Sequence, residues 1–334
     1  MHRGANLLRV SDPDRRVADD WALQPDYLPT RPAPYLVWPP QPVEAVKYTL
    51  KNHLSFNDRT LYIALAVVVA FWLQPVDSGQ TTLAAGWIVW LLARNVVLAG
   101  VIIGGLHWWF YMRCGQGDER RWDTRPLGRN KRRFAFDDQV KDNMAYTMLS
   151  GIPIASAWEV WARWMFANEY VSTADLGTNP VWFVLAFLAM PIWQSLHFYV
   201  IHRAMHHESI YQAVHAVHHR NVNVGPWSGL SMHPVEHLVY FSTLAIVVVV
   251  PLHPAHVLFL LFWQMLGAPS SHSGYEGIVV NGKMVLSVDG YFHQMHHRYV
   301  RCNYGSAEFP LDYWLGTAHD GTDTGAARLK AHHN

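Results

Sequence analysis

Cysteine and charge are both scarce in this chain of 334 residues. Cys114 and Cys302 are its only cysteines, too few for a disulfide framework or a four-thiolate iron–sulfur site. Charged residues make up 15% and the formal net charge is +1, so there is no strong field to gather nucleic acid, and no such partner is expected. The composition of a disordered chain is missing too, since 51% of residues are hydrophobic and 13% aromatic. No glycine-rich phosphate loop and no repeat of roughly 20–50 residues is found. Met1–Arg16 has no apolar run, so a cleavable leader is not expected.

What is present is apolar sequence in long stretches: Leu61–Leu73, Leu83–Met112, Ala145–Ala167, Val181–Val200, and the pair His237–Val250 and Ala255–Gly267, split by Pro251 and Pro254. A hydrocarbon core of about 30 Å takes roughly 20 helical residues, which the middle three supply. The last pair reads either as spans extended to Ser231 and Ser273 or as a hairpin dipping into one leaflet. Lysine and arginine set the orientation. Eight lie in residues 1–60, nine in Arg113–Lys141 and seven from Arg203 onward, whereas Gln74–Thr82, Asn168–Pro180 and Leu252–His256 have none. Both termini are therefore expected in the cytosol. Arg94 and Arg163, inside apolar runs, are expected to pair within the bundle or snorkel.

Pro29–Pro42 is too rich in proline for helix and reads as an extended tether. Val43, Val46, Leu50 and Leu54 then recur at helical spacing, so Val43–Leu54 is either a core-packing helix or one lying on the membrane with Lys47 and Lys51 toward headgroups. The expected fold class is all-α: an integral membrane helical bundle with a cytosolic, histidine-rich helical cap. The regions are 1–58 (tether and interfacial helix), 59–180 (N-terminal spans and a cytosolic loop), 181–317 (the histidine-bearing domain) and 318–334 (tail).

Histidine is in excess, 21 in all, of which 15 fall between His197 and His297. His202 and His206, then His215, His218 and His219, then His293, His296 and His297 repeat three- and four-residue steps, which share a helix face. Eight imidazoles exceed what one ion with an open position needs, so two metals are expected. His272, just after the last apolar run, and His233, in HPVEH, are further candidate ligands. His197, His207 and His237 are open between ligand and supporting roles. His53, His107, His253 and His256 are expected in ordinary hydrogen bonds, and His2, His319, His332 and His333 in solvent near the termini.

HRAMHH (His202–His207), HAVHH (His215–His219), HPVE (His233–Glu236), HQMHH (His293–His297), NYG (Asn303–Gly305) and DYWLGT (Asp312–Thr317) together resemble the membrane fatty acid hydroxylase superfamily over Val181–Thr317. That superfamily includes sterol C-4 and C-5 oxidases, sphingoid and fatty acyl hydroxylases and alkylglycerol monooxygenase. The resemblance implies a non-haem di-iron, O2-dependent oxidoreductase that hydroxylates or desaturates a membrane lipid. It also implies His202, His206, His215, His218, His219, His293, His296 and His297 as ligands of two iron ions, with zinc a possible substitute.

The sequence has no reductase motif, iron–sulfur cysteine set or haem domain, so electrons are expected from an external ferredoxin- or cytochrome b5-like donor with its reductase. Arg113–Asp142 reads as a solvated loop that could dock one. Trp182, Trp193, Phe198, Tyr199, Trp227 and Trp263 are either substrate-pocket walls or belt and packing residues. The alternative is a His-caged dizinc hydrolase acting on a lipid; a metal transporter would need midplane ligands and half-repeats, which are not seen. Arginine outnumbers lysine 20 to 6, which points to a GC-rich genome and so to a bacterial inner membrane, with the endoplasmic reticulum as the eukaryotic counterpart.

Overall fold

The computed structural model describes residues 25–53, 56–73, 79–288 and 290–333. Met1–Arg16, His2, Leu54 and most of Gln74–Thr82 lie outside the described residues, as do the side chains of His332 and His333. Helix α1 (Pro42–Asn52) starts with proline in its first turn, where no backbone donor is lost. Helix α2 (Asp58–Trp72) starts from a reciprocal cap, Thr60 N donating to Asn57 Oδ1 and Asn57 N to Thr60 Oγ1, both at 3.0 Å. Helix α3 (Ala85–His107) runs on through a wide turn, Trp108–Met112. Helix α4 (Gln139–Tyr146) is capped by Asp138 and passes through a second wide turn, Thr147–Gly151, into α5 (Ile152–Ala167).

Helix α6 (Pro180–Met205) is followed by the short α7 (Glu208–Ile210), a wide turn Tyr211–His215, and α8 (Ala216–His219). Helix α9 (Pro234–Tyr240) tightens into a 3-10 stretch, Phe241–Val248. Beyond the break at Pro251 come α10 (Pro254–Phe262), a wide turn, and α11 (Ala268–Ser271). An antiparallel hairpin of β1 (Gly277–Val280) and β2 (Lys283–Ser287) is the only sheet among the described residues, so all-α holds but for this pair. Helices α12 (Tyr291–Tyr299), α13 (Leu311–Trp314) and α14 (Asp323–His333) complete the chain.

Two helices among the described residues are long and apolar enough to cross a membrane, Ala85–Met112 and Pro180–Met205. The third expected span, Ala145–Ala167, is interrupted by the wide turn Thr147–Gly151, and its inner face carries Ser156, Glu159 and Arg163. The proline-split pair forms two short segments. Helix α10, with 9 residues, is buried on every side from Ala255 to Phe262 and sits at the centre against α2, α5 and α6. A helix apolar all round belongs inside, and this one is the axis of the core. Large apolar side chains are exposed on the outward faces of α2, α3 and α6, among them Phe71, Trp72, Val97, Val101, Val181 and Val184. Such a belt exceeds what a water-facing surface shows.

Arg94 and Arg163 do pair inside the bundle. Both meet the fully buried Glu159: Arg94 Nη2 donates to Oε2, and Arg163 Nε lies 2.9 Å from Oε1. Asn95 Nδ2 adds bonds of 3.1 Å to Glu159 Oε2 and 3.0 Å to Ser156 Oγ.

Two expected solvent segments are packed instead. The proline-rich stretch forms no α-helix but is strapped to the C-terminal part, Thr30 N donating to Asp320 O at 2.9 Å and Ala33 N to Glu308 O at 2.8 Å, with Leu28 buried beside Trp122, Tyr291 and Met295. Arg113–Asp142 is likewise no loose loop. Trp122 N donates to Gly274 O at 2.9 Å and Gln139 Nε2 to Asn221 Oδ1 at 3.0 Å, so the Trp122 ring leaves water while the buried Gln139 amide keeps a hydrogen-bond partner.

Candidate metal centre

The end of helix α6 carries His202 and His206, one helical turn apart. Helix α8 and the turn before it bring His215, His218 and His219; His272 follows α11; α12 brings His293, His296 and His297. Their ring nitrogens form two groups, His202–His206–His215–His219–His296 and His218–His272–His293–His297, with one ligand atom from each residue of a group within 4.8 Å of every other. The sequence clusters do not map one to one on these groups. Residues four apart stay together (202/206, 215/219, 293/297), while His218 and His296 cross over. Thus α8 and α12 lie between the two groups and each supplies both.

The donor set fits metal. In the first group the Nε2 atoms form a closed ring: His206 to His215 3.1 Å, His215 to His219 3.0 Å, His219 to His296 3.0 Å and His296 back to His206 3.1 Å. His202 Nε2 stands 3.1 Å from His215 Nε2. With the protons on Nδ1, Nε2 atoms turned toward one another are all acceptors, a set that a cation between them would satisfy. A square of that edge has a half-diagonal of about 2.2 Å, close to the roughly 2.0–2.1 Å of a metal–imidazole bond. In the second group His272 Nε2 lies 3.0 Å from His297 Nε2.

The opposite ring nitrogens fix these orientations. His202 Nδ1 donates to Tyr304 O at 2.6 Å, His296 Nδ1 to Cys302 O at 2.5 Å, His272 Nδ1 to Ala268 O at 2.7 Å and His218 Nδ1 to Ser231 O at 3.3 Å. His215 Nδ1 donates to Glu236 Oε1 at 2.7 Å. Each bond leaves Nε2 as the lone-pair atom pointing inward. Burial, with the neighbouring imidazoles, pushes His215, His218, His219, His293, His296 and His297 well down from the usual histidine range. They are therefore neutral, which is the ligating form.

His233 belongs to neither group. It caps α9, its Nδ1 accepting from Val235 N at 3.2 Å, because the backbone turns there and points the next acidic residue inward instead. His237 braces Ser150 Oγ (3.0 Å) and Leu230 O (3.1 Å), His197 meets Ser242 Oγ at 2.9 Å, and His207 is exposed at the start of α7. His253 and His256 are taken up in the cap of α10 and a 2.8 Å bond to Phe183 O. His319, expected in solvent, is buried and stacked on Tyr299.

Sequence reasoning missed three supports. Glu236 was visible only as a letter in HPVE. Asn303 closes the end of α12, its Nδ2 donating to Phe292 O (3.0 Å) and His319 O (3.1 Å), from a left-handed backbone position with φ 54°. Asp312 accepts from Tyr304 N (2.9 Å) and Gly305 N (2.7 Å), holding the carbonyl that orients His202. NYG and DYWLGT thus brace the ligands and do not bind metal themselves. Glu236→Leu is expected to weaken metal affinity roughly 10- to 100-fold, read by chelator competition, since His215 loses the group that orients it.

A cavity of about 640 Å³ ends on His202, His218, His272 and His293 and is walled by Phe198, Met232 and Trp263. Of the other aromatics weighed as walls, Tyr199 lines a separate outer pocket with Arg203, His206 and Tyr304. Trp182 and Trp193 donate to Pro251 O (2.8 Å) and Thr243 O (3.0 Å), and Trp227 is packed in the core.

Residues 187–317 match the fatty acid hydroxylase family. A Delta(7)-sterol 5(6)-desaturase of Gibberella zeae is 28% identical over 141 residues, 40% of this chain and 42% of the relative. A fatty acid hydroxylase of Mycosarcoma maydis is 35% identical over 150 residues, 43% of this chain and 36% of the relative. A very-long-chain aldehyde decarbonylase of Oryza sativa is 23% identical over 318 residues, 88% of this chain and 45% of the relative. The matches thus cover less than half of each of these relatives. No solved structure matches.

Proposed function

Since the segment bearing both histidine groups belongs to the fatty acid hydroxylase superfamily, we propose that this protein is a membrane-embedded di-iron oxidoreductase that hydroxylates or desaturates a lipid. The observation that carries the reading is the cavity, which joins apolar walls to the ligand faces of both groups. Two iron ions held there would supply O2 activation for breaking a C–H bond; with two external electrons and two protons, hydroxylation puts one oxygen atom in the lipid and releases the other as water, and desaturation releases both as water. The side chains do the rest. Phe198, stacked on His202 with ring centroids 4.7 Å apart, and Trp263 hold a carbon chain against the ligands and keep water from it. The match of the histidine-bearing segment to the fatty acid hydroxylase family supports the iron reading over the hydrolase alternative.

In this reading α3 and α6 cross the bilayer, and the end of α6 carrying His202 and His206 lies at the cytosolic side, together with most of the arginine and lysine. Electrons come from a separate ferredoxin- or cytochrome b5-like donor. Purified protein is expected to contain about two iron ions per chain and to consume O2 in step with a lipid mass gain of one oxygen or loss of two hydrogens. Full turnover of the lipid without O2 or reductant would sink the proposal.

A further inference from the structure

Helix α1 is built inside out for a water-facing helix. Ala45, Tyr48, Thr49 and Asn52 form its packing side, half-buried and mostly polar. Its apolar residues point away from the protein, Val43 64%, Val46 60% and Leu50 56% exposed. At 100° per residue these three occupy one narrow sector, and Lys47, paired with Glu44 at 2.8 Å, and Lys51 lie along one edge of it. Trp38 before the helix is 88% exposed and Phe56 after it 70%, and Leu61, Val68 and Phe71 of α2 are exposed as well.

The other side of α1 faces the cavity. Tyr48, Lys51, Asn52, Phe56 and Asn57, from α1 and the start of α2, line the same cavity as His218 and His293. Arg59 and Glu308, paired at 2.5 Å, stand in the same wall. The arginine in this wall is thus neutralised by Glu308. An amphiphile would insert its uncharged part and leave its headgroup near Lys51.

We propose that α1 and the first turn of α2 form a portal seated on one leaflet, with Val43, Val46 and Leu50 sunk at the headgroup–acyl boundary, through which an uncharged lipid chain slides from the bilayer to the histidine groups. The occupant of the exposed face is the leaflet itself. An apolar sector with lysines along one edge fits acyl chains and lipid phosphates at once, and α2, next in the chain, also exposes apolar side chains. This rests on the lipid-oxidase reading for what travels through the portal, but not for where α1 lies.

The test uses full-length protein with Cys114→Ser, reconstituted in phosphatidylcholine–phosphatidylglycerol vesicles and labelled with bimane at Val46→Cys, Leu50→Cys or Glu44→Cys. Brominated phosphatidylcholine is expected to quench positions 46 and 50 several-fold more than position 44, and aqueous iodide the reverse. A doxyl-chain phosphatidylcholine should also quench bimane at Phe56→Cys, and less so once Asn52→Trp narrows the mouth. Iodide quenching at 46 and 50 with no effect of brominated lipid overturns the portal, even if iron content and O2-dependent oxidation are intact. Lipid-quenched labels on protein without iron or O2 use would instead overturn the oxidase reading alone.

Discussion

His215→Ala is expected to hold about one metal ion per chain where the intact protein holds two, and to oxidise lipid at background rate. The reason is position. His215 Nε2 is the hub of the first group, 3.1 Å from His202, 3.1 Å from His206 and 3.0 Å from His219. Removing it opens the ring at one corner and also strands Glu236, whose Oε1 loses its 2.7 Å donor while Oε2 already has no partner. A buried acceptor so abandoned costs about 1–3 kcal/mol on top of the lost ligand bond. The effect should exceed the roughly 10- to 100-fold expected for Glu236→Leu, where all ligands survive. His218→Ala should empty the other group and leave the first filled. His233→Ala, changing a helix cap alone, should keep both ions. Metal counting by mass spectrometry on the three proteins separates them; two ions retained in His215→Ala would show that the grouping is wrong.

That contrast marks how far the sequence could be read. Three- and four-residue steps named eight of the nine grouped histidines, and His272 followed from its place after an apolar run, because helix periodicity is a local property. How those nine divide was not legible. The crossing over of His218 and His296 depends on α8 and α12 lying between the two groups, a tertiary fact. His233 and Glu236 show the same limit within four residues: both lie in HPVEH, and the turn of the backbone into α9 decides which faces inward. The apolar runs located the helices. They did not reveal that Ala145–Ala167 would bend at a wide turn, or that α10 would be enclosed by protein, since a buried apolar helix and a lipid-facing one have the same composition. The inverted face of α1 was visible as periodicity alone, and only packing settled which side it turns outward.

Glu159→Leu is expected to lower stability by about 3–5 kcal/mol, the largest stability effect of any single change considered, while leaving the ligand set untouched. Glu159 is fully buried where α3 meets α5 and serves two arginines at once, its Oε2 to Arg94 and its Oε1 to Arg163 at 2.9 Å. Apolar side chains surround the triad, with the Arg94 guanidinium 5.6 Å from the ring centre of Trp90 and 5.9 Å from that of Phe262. Leucine in place of the carboxylate leaves two cations in a medium that cannot solvate them. The sign then depends on which partners are removed. Arg94→Met, Glu159→Leu and Arg163→Met together abolish the charges along with their pairing, and should recover most of the loss, because an apolar set of similar volume avoids the desolvation penalty. Thermal unfolding in detergent should therefore rank Glu159→Leu below the triple variant, with the intact protein near the latter. Metal content measured on folded protein should be equal in all three, since the triad touches α10 and the bundle but none of the nine histidines. If Glu159→Leu unfolded like the intact protein, the triad would contribute nothing, and Arg94 and Arg163 would have to find solvent or lipid phosphate by snorkelling, the other outcome open to charges in apolar runs.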